Sequence, residues 1–263
     1  MSKQSTPFGL WPSPITPELL GAKLRLGDVQ FDSDGETILW VEDRDRRGVL
    51  VAQHGDDAPR DISGGMDVGA GVGYGGGDFT VRNGVAVFAA KGRLYRVPLS
   101  HGVPQPVTPA FGEAASPVIS PDGSKILFVH TYERTDCLAL VDTDGKSWPT
   151  KLASGADFYM QPAWHPDGAQ MAWVEWNHPQ MPWDGTRLMT ARLDGLDGVT
   201  LADVKQIFGD VELPVFQPAF SPDGRSLAFL ANDGKWDSLY TVDISTSLNA
   251  GIASGERRIL VEG

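Results

Sequence analysis

Two stretches of the chain gather aromatic, imidazole and carboxylate side chains at short spacing. "SGADFYMQP" carries Asp157, Phe158 and Tyr159, and "WNHPQMPWDGT" carries Asn177, His178, Trp183 and Asp184. Tyr74 stands in a third, "GYGGGD". Aromatic rings set among hydrogen-bonding groups on loops make a surface built to be covered. The chemistry expected of these eight residues is recognition, contact with a peptide or a protein surface, and not bond-breaking.

Catalytic apparatus is otherwise hard to find. The spacing nearest to a nucleophile elbow, "GRSLA" from Gly224 to Ala228, lies in a hairpin rather than on a strand-to-helix turn, so Ser226 reads as a strand residue. His54, His101, His130, His165 and His178 lie in five unrelated contexts, and a single cysteine cannot build a structural zinc site. "DSDG" and "DTDG" open like a calcium loop but lack its later ligands. "GYGGGD" has neither the Lys-Ser/Thr nor the helix of a phosphate loop, and reads as close backbone packing. No cofactor or metal is expected.

The totals narrow the partners. With 263 residues and a net charge of −12, the chain can bury a substantial core and repels phosphate backbones, so nucleic acid is not expected. The arginines of "EDRDRRG" alternate with acids, as at a solvated hairpin tip. Cys137 lies in the apolar run "CLALVD" and is expected to be a buried, inert thiol. "MSKQSTPFGLWPSP" has no apolar signal core, and no run approaches the roughly 18 apolar residues of a membrane span, so a cytoplasmic protein is the default expectation.

What positions the recognition residues is a repeat. "FSPDGRSLAFLAND" has relatives in "ISPDGSKILFVHT", "WHPDGAQMAWVEW" and "FDSDGETILWVED". Pro presets the first central position of a type I turn, Asp suits the second, and Gly takes the left-handed conformation after it. Each phrase is therefore a hairpin, followed by two further β-prone runs. Asp122 to Asp167 is 45 residues, and Asp34 to Asp122 is 88, two periods of 44. A degenerate unit with "RNG" as its turn fills the gap, at 73–99.

Short strands in fours at this spacing point to an all-β β-propeller of about five four-stranded blades, over roughly 24–63, 70–108, 113–154, 157–209 and 215–262, expected as an open part of a larger propeller. A β-sandwich would explain the strands and turns but not one phrase recurring at one period. Residues 1–23 form an N-terminal extension, in which "ITPELLGAKL" predicts a short helix with Thr16 as N-cap and Pro17 after it. The 56 residues from Asp167 to Asp223 exceed the period because of "WNHPQMPWDGT". Connections from a blade's second strand to its third, and from its fourth to the next blade, share one face of the disc. Both aromatic loops should meet there, opposite the Ser-Pro-Asp-Gly turns.

At these phrases the sequence resembles a known family. "TPFGLWPSPITPELL", "YGGGDF", "ADFYMQPAWHPDG" and "WNHPQMPWDGTRL" are similar, in the same order, to the N-terminal propeller of prolyl oligopeptidase-family serine peptidases, closest to the acylaminoacyl-peptidase/dipeptidyl-aminopeptidase branch. The resemblance implies a propeller that caps an α/β-hydrolase domain, restricts access to peptides and continues for further blades. Val72 and Gly73 stand where the family often has His-Glu, and Asn177 where it often has Asp. The expected function is that of a substrate-gating and docking propeller, itself without the triad and inactive alone, with the hydrolase domain and a peptide as partners. The alternative is a stand-alone TolB-like propeller acting as a protein-binding scaffold.

Overall fold

The computed structural model describes Gly9 and residues 24–72, 77–194, 200–232, 236–244 and 258–261. Tyr74 and the helix expected before Leu24 lie outside the described residues. Among the described residues, twenty strands form five antiparallel sheets of four strands each, every one a simple meander. Blade one is β1 (Arg25–Phe31), β2 (Thr37–Arg44), β3 (Arg47–His54) and β4 (Arg60–Asp61). Blade two is β5 (Phe79–Arg82), β6 (Val85–Ala90), β7 (Arg93–Pro98) and β8 (Gln105–Pro106). Blade three is β9 (Glu113–Ile119), β10 (Lys125–Tyr132), β11 (Thr135–Asp142) and β12 (Thr150–Ala153). Blade four is β13 (Phe158–Trp164), β14 (Gln170–Trp176), β15 (Arg187–Asp194) and β16 (Thr200–Gly209). Blade five is β17 (Val215–Phe220), β18 (Ser226–Asn232), β19 (Asp237–Asp243) and β20 (Arg258–Val261). The chain is a β-propeller of five blades.

The repeated phrase works as its residues dictate. In blade three, Gly123 N–H donates to Ser120 O at 2.9 Å, and Ser120 Oγ–H donates to Asp122 Oδ1 at 2.6 Å. Lys125 N–H then donates to Ser120 Oγ, and Gly123 sits at φ +79°. Blade five repeats this with Ser221, Asp223 and Gly224 at φ +71°. Those bonds to the ionised carboxylate, led by the serine hydroxyl, hold Asp122 and Asp223 below the ordinary carboxylate range. Blade two uses a tighter solution: Asn83 and Gly84, both with positive φ, make the two-residue turn between Arg82 and Val85.

Alternation along each middle strand feeds two cores. Leu127 and Val129 of β10 face Met171 and Trp173 of blade four, whereas Ile126 and Phe128 face Val87 and Ala89 of blade two. Leu39 and Leu50 pack on Phe79 and Phe88, and Val174 and Leu188 pack on Leu227 and Phe229. A "WVE" phrase occurs twice, and in both copies the indole donates to the glutamate two residues on: Trp40 to Glu42 and Trp173 to Glu175, each at 2.8 Å. Two residues apart on a strand share a face, so the pair satisfies the buried N–H locally.

The outermost blades differ from the others. On blade one, Val29 pairs with Trp40 and Phe31 with Ile38, on the face turned away from blade two. Leu26, Val29 and Phe31 are 65%, 56% and 64% exposed, and among the described residues no strand of blade five forms a packed interface with them.

Candidate functional site

Blade four departs from its neighbours at one corner. In blade three, β10 and β11 are joined by a two-residue turn at Glu133 and Arg134, both with positive φ. In blade four, ten residues, 177–186, separate β14 from β15. The strands still pair up to the mouth of this loop, where Glu175 meets Arg187 and their side chains form an ion pair at 3.1 Å.

The loop is held at three points. At its start, Asp157 N–H donates to Asn177 Oδ1, and His178 N–H donates to Asp157 Oδ2, both at 2.9 Å. This two-way clasp ties the loop to the connection that enters the blade. In its middle, Met181 N–H donates to Asp184 Oδ2 and Asp184 N–H returns a bond to Met181 O, each at 2.9 Å. At its end, the Thr186 hydroxyl donates to Val215 O at 2.9 Å while Val215 N–H donates to the same hydroxyl oxygen at 2.7 Å. Gly185 makes the close approach possible: a Cβ there would stand 2.2 Å from the carbonyl carbon and oxygen of Val211.

On this frame the rings assemble. Phe158 stacks on Trp176 with centroids 5.0 Å apart, and His178 meets Phe158 edge-on at 4.9 Å. Trp183 is 61% exposed. Thus Asp157, Phe158, Asn177 and His178 form one cluster, with Trp183 and Asp184 on the same loop.

Tyr159 does not belong to that surface. It is buried in the core between blades three and four, where its hydroxyl oxygen accepts from Ala156 N–H at 3.0 Å. Burial pushes its phenol up to about 12. Alternation explains the reversal, since Phe158 and Tyr159 are neighbours on one strand and point to opposite faces. Asp157 and Asp184, expected as contact residues, each accept from a loop N–H, so their carboxylates first of all shape the loop.

Other residues on the same face gave less signal in the sequence. Phe111 stacks on Tyr132 at 4.0 Å, and the two are 45% and 42% exposed. Val211 and Trp236 are 59% and 68% exposed. All four lie in, or at the ends of, second-to-third-strand or blade-to-blade connections, and the meander puts these on one side. Topology was the available signal, because each of these residues alone reads as part of an ordinary turn. Among the described residues, no group of three or more His, Cys, Asp or Glu side chains is placed to hold a metal ion.

The arrangement among the described residues is a cluster of rings tied down by hydrogen bonds, and the architecture has close counterparts. Over 99% of this chain it is similar to a puromycin-hydrolysing peptidase of Mycobacterium tuberculosis, with a TM-score of 0.80 and 26% identity. Puromycin hydrolase gives the same coverage and TM-score at 29% identity. A mutant of puromycin hydrolase complexed with PGG matches 92% of this chain at 30% identity and a TM-score of 0.77. The chain matches the N-terminal propeller portion of these prolyl oligopeptidase-family peptidases. It spans only 41–43% of their length. A putative TolB of Agrobacterium tumefaciens, at 17% identity and a TM-score of 0.62, shares the fold. No protein-family model and no curated protein matches the sequence.

Relative to the family pattern, the structure gives Asn177 a specific task. Its amide oxygen accepts from Asp157 N–H next to the Asp157 carboxylate. A neutral acceptor there avoids setting two carboxylates against each other. No helix among the described residues is long and apolar enough to cross a membrane.

Proposed function

We propose that the chain is the substrate-gating and docking propeller of a prolyl oligopeptidase-family serine peptidase that acts on peptides. The observation that carries this reading is the chain-long match, at 26–30% identity, to the propeller part of puromycin-hydrolysing peptidases more than twice as long. The catalytic partner is an α/β-hydrolase domain, in the same polypeptide or supplied separately, and the setting is cytoplasmic. The exposed His178 and Trp183, with the half-buried Phe158 behind His178, supply contact with that domain or with the peptide. Tyr74, which the chain order puts between the strands of the first two blades, belongs to the same proposal. Bond-breaking requires a nucleophile, a base and an oxyanion hole together, so the isolated chain is inactive.

The test is to read the DNA past the Gly263 codon and to assay the purified chain on puromycin and aminoacyl anilides. Further blades followed by a G-x-S-x-G elbow, with an inactive isolated chain, is the expected result. Hydrolysis that co-purifies with the chain through successive columns would overturn the reading. A stop with no hydrolase encoded nearby would favour a TolB-like scaffold, which shares the fold and of which one example matches over 81% of its own length.

A further inference from the structure

A cavity of about 170 Å³ opens beside blade three, away from the blade-four loop. Phe111, His130, Cys137, Ala139, Trp148 and Lys151 line it. Its walls are fixed before anything enters. One contact of the Phe111 ring is with Tyr132 at 4.0 Å, and the Phe111 carbonyl accepts from His130 Nε2–H at 2.8 Å. Thr108, at the rim, is committed as well: its hydroxyl oxygen accepts from Leu94 N–H at 3.0 Å and its carbonyl accepts from Arg93. The polar atoms of the lining are therefore largely spent on the protein, and the surface left to a visitor is apolar and aromatic.

Two donors stand apart from that pattern. Lys151 is exposed and forms no ion pair among the described residues, although the chain carries an excess of acids. Trp148, 74% exposed, brings an indole N–H. A large aromatic left this open, at the mouth of an apolar cavity and beside a free cation, makes no packing sense for the chain alone.

We propose that this cavity binds a small molecule with one aromatic ring and a carboxylate, the ring among Phe111, Ala139 and Trp148 and the carboxylate on Lys151. Size supports the single ring, since an apolar cavity of about 150 Å³ accepts benzene. Charge supports the acid over the amine, because Lys151, without an ion pair among the described residues, is the one Lys, Arg, Asp or Glu in the lining. The site uses none of the residues of the blade-four loop and shares only Phe111 with the exposed residues on that loop's face.

The probe is 3-phenylpropionate, with 2-phenylethylamine as the isosteric cation, and binding is followed by saturation-transfer NMR on the whole chain. Cys137 lines the cavity but is buried, and burial pushes its thiol up, so the bound probe is located by the Trp148 indole N–H resonance, assigned from its loss in Trp148→Ala. Saturable binding of the acid, a saturable shift of the Trp148 indole N–H resonance, and no saturation by the amine are expected. Lys151→Met should weaken the acid about five-fold and Trp148→Ala about ten-fold or more. Both side chains are exposed, so the variants should melt with the parent chain. Absence of saturable binding, equal binding of acid and amine, or binding that neither shifts the Trp148 indole N–H resonance nor responds to Trp148→Ala would each overturn the proposal.

Discussion

Gly185→Ala tests how the blade-four loop is held. A Cβ at this position would lie 2.2 Å from the Val211 carbonyl carbon and oxygen and 2.4 Å from the Asp210 oxygen, all backbone atoms. Contacts of that kind relax near 3.4 Å or beyond, so loop and turn must separate by about 1 Å. Overpacking of this sort costs about 1–3 kcal/mol. Gly185 does not need a left-handed backbone, so alanine returns about 0.4–1 kcal/mol by restricting the unfolded chain. The net loss is about 1–2 kcal/mol, or a fall in Tm of about 2–8 °C for a chain of this size. Gly69→Ala is the control, because nothing lies within 4 Å of its Cβ position and its φ is not left-handed. It should be neutral or raise Tm slightly. Differential scanning calorimetry of the two variants decides, with limited proteolysis at 177–186 showing whether the loop has lifted. A Gly185→Ala chain that melts with the parent and resists proteolysis equally would refute the tight seat of the loop on Val211.

Three further outcomes follow from particular contacts. Trp173→Ala should cost about 3–5 kcal/mol in urea unfolding, because the ring is fully buried between blades three and four and its indole donates to Glu175; a cost below about 1 kcal/mol would mean the interface repacks. Trp183→Ala should leave unfolding within about 0.5 kcal/mol of the parent, as an exposed side chain does, whereas Asp184→Ala should lose about 1 kcal/mol with its bond to Met181 N–H. Equal losses from the two would return Trp183 to packing. The lowered Asp122 contributes stability that is full above the ordinary carboxylate pKa and is lost as pH falls through its depressed folded value. Ser120→Ala removes the leading cause, so NMR titration should find Asp122 moved up towards the ordinary carboxylate range, and an unmoved midpoint would contradict the hydroxyl bond.

Much of the architecture was legible in the chain because its causes are local. Pro, Asp and Gly in one order make one turn, and period-two alternation of apolar residues then fixes both sheet faces of each blade. That is why "RNG" at 82–84 could stand in for Ser-Pro-Asp-Gly without disturbing the register. The inner-strand irregularities were less visible. Ser116, Gln161 and Gln217 each precede proline at positive φ, at bulges in β9, β13 and β17. Proline cannot extend a ladder, so its recurrence in "SPV", "QPA" and "QPA" is the trace these bulges leave in the sequence.

The sequence by itself determined that blades form, how many strands each holds, and that two aromatic connections share a face, because turn chemistry and alternation act within a few residues. Tertiary structure alone decided which of those residues face outward. Phe158 and Tyr159 are adjacent and equally aromatic, yet Phe158 is half-buried on the side of blade five with its edge towards the exposed His178, and Tyr159 is sealed between blades three and four. Likewise the carboxylate of Asp157 read as a contact group until the fold brought the His178 N–H to it from another connection, whereas Asp184 is met locally by the N–H of Met181, three residues earlier. Which donor comes within about 3 Å of a carboxylate depends on how separate connections are packed, and sequence spacing does not encode that distance.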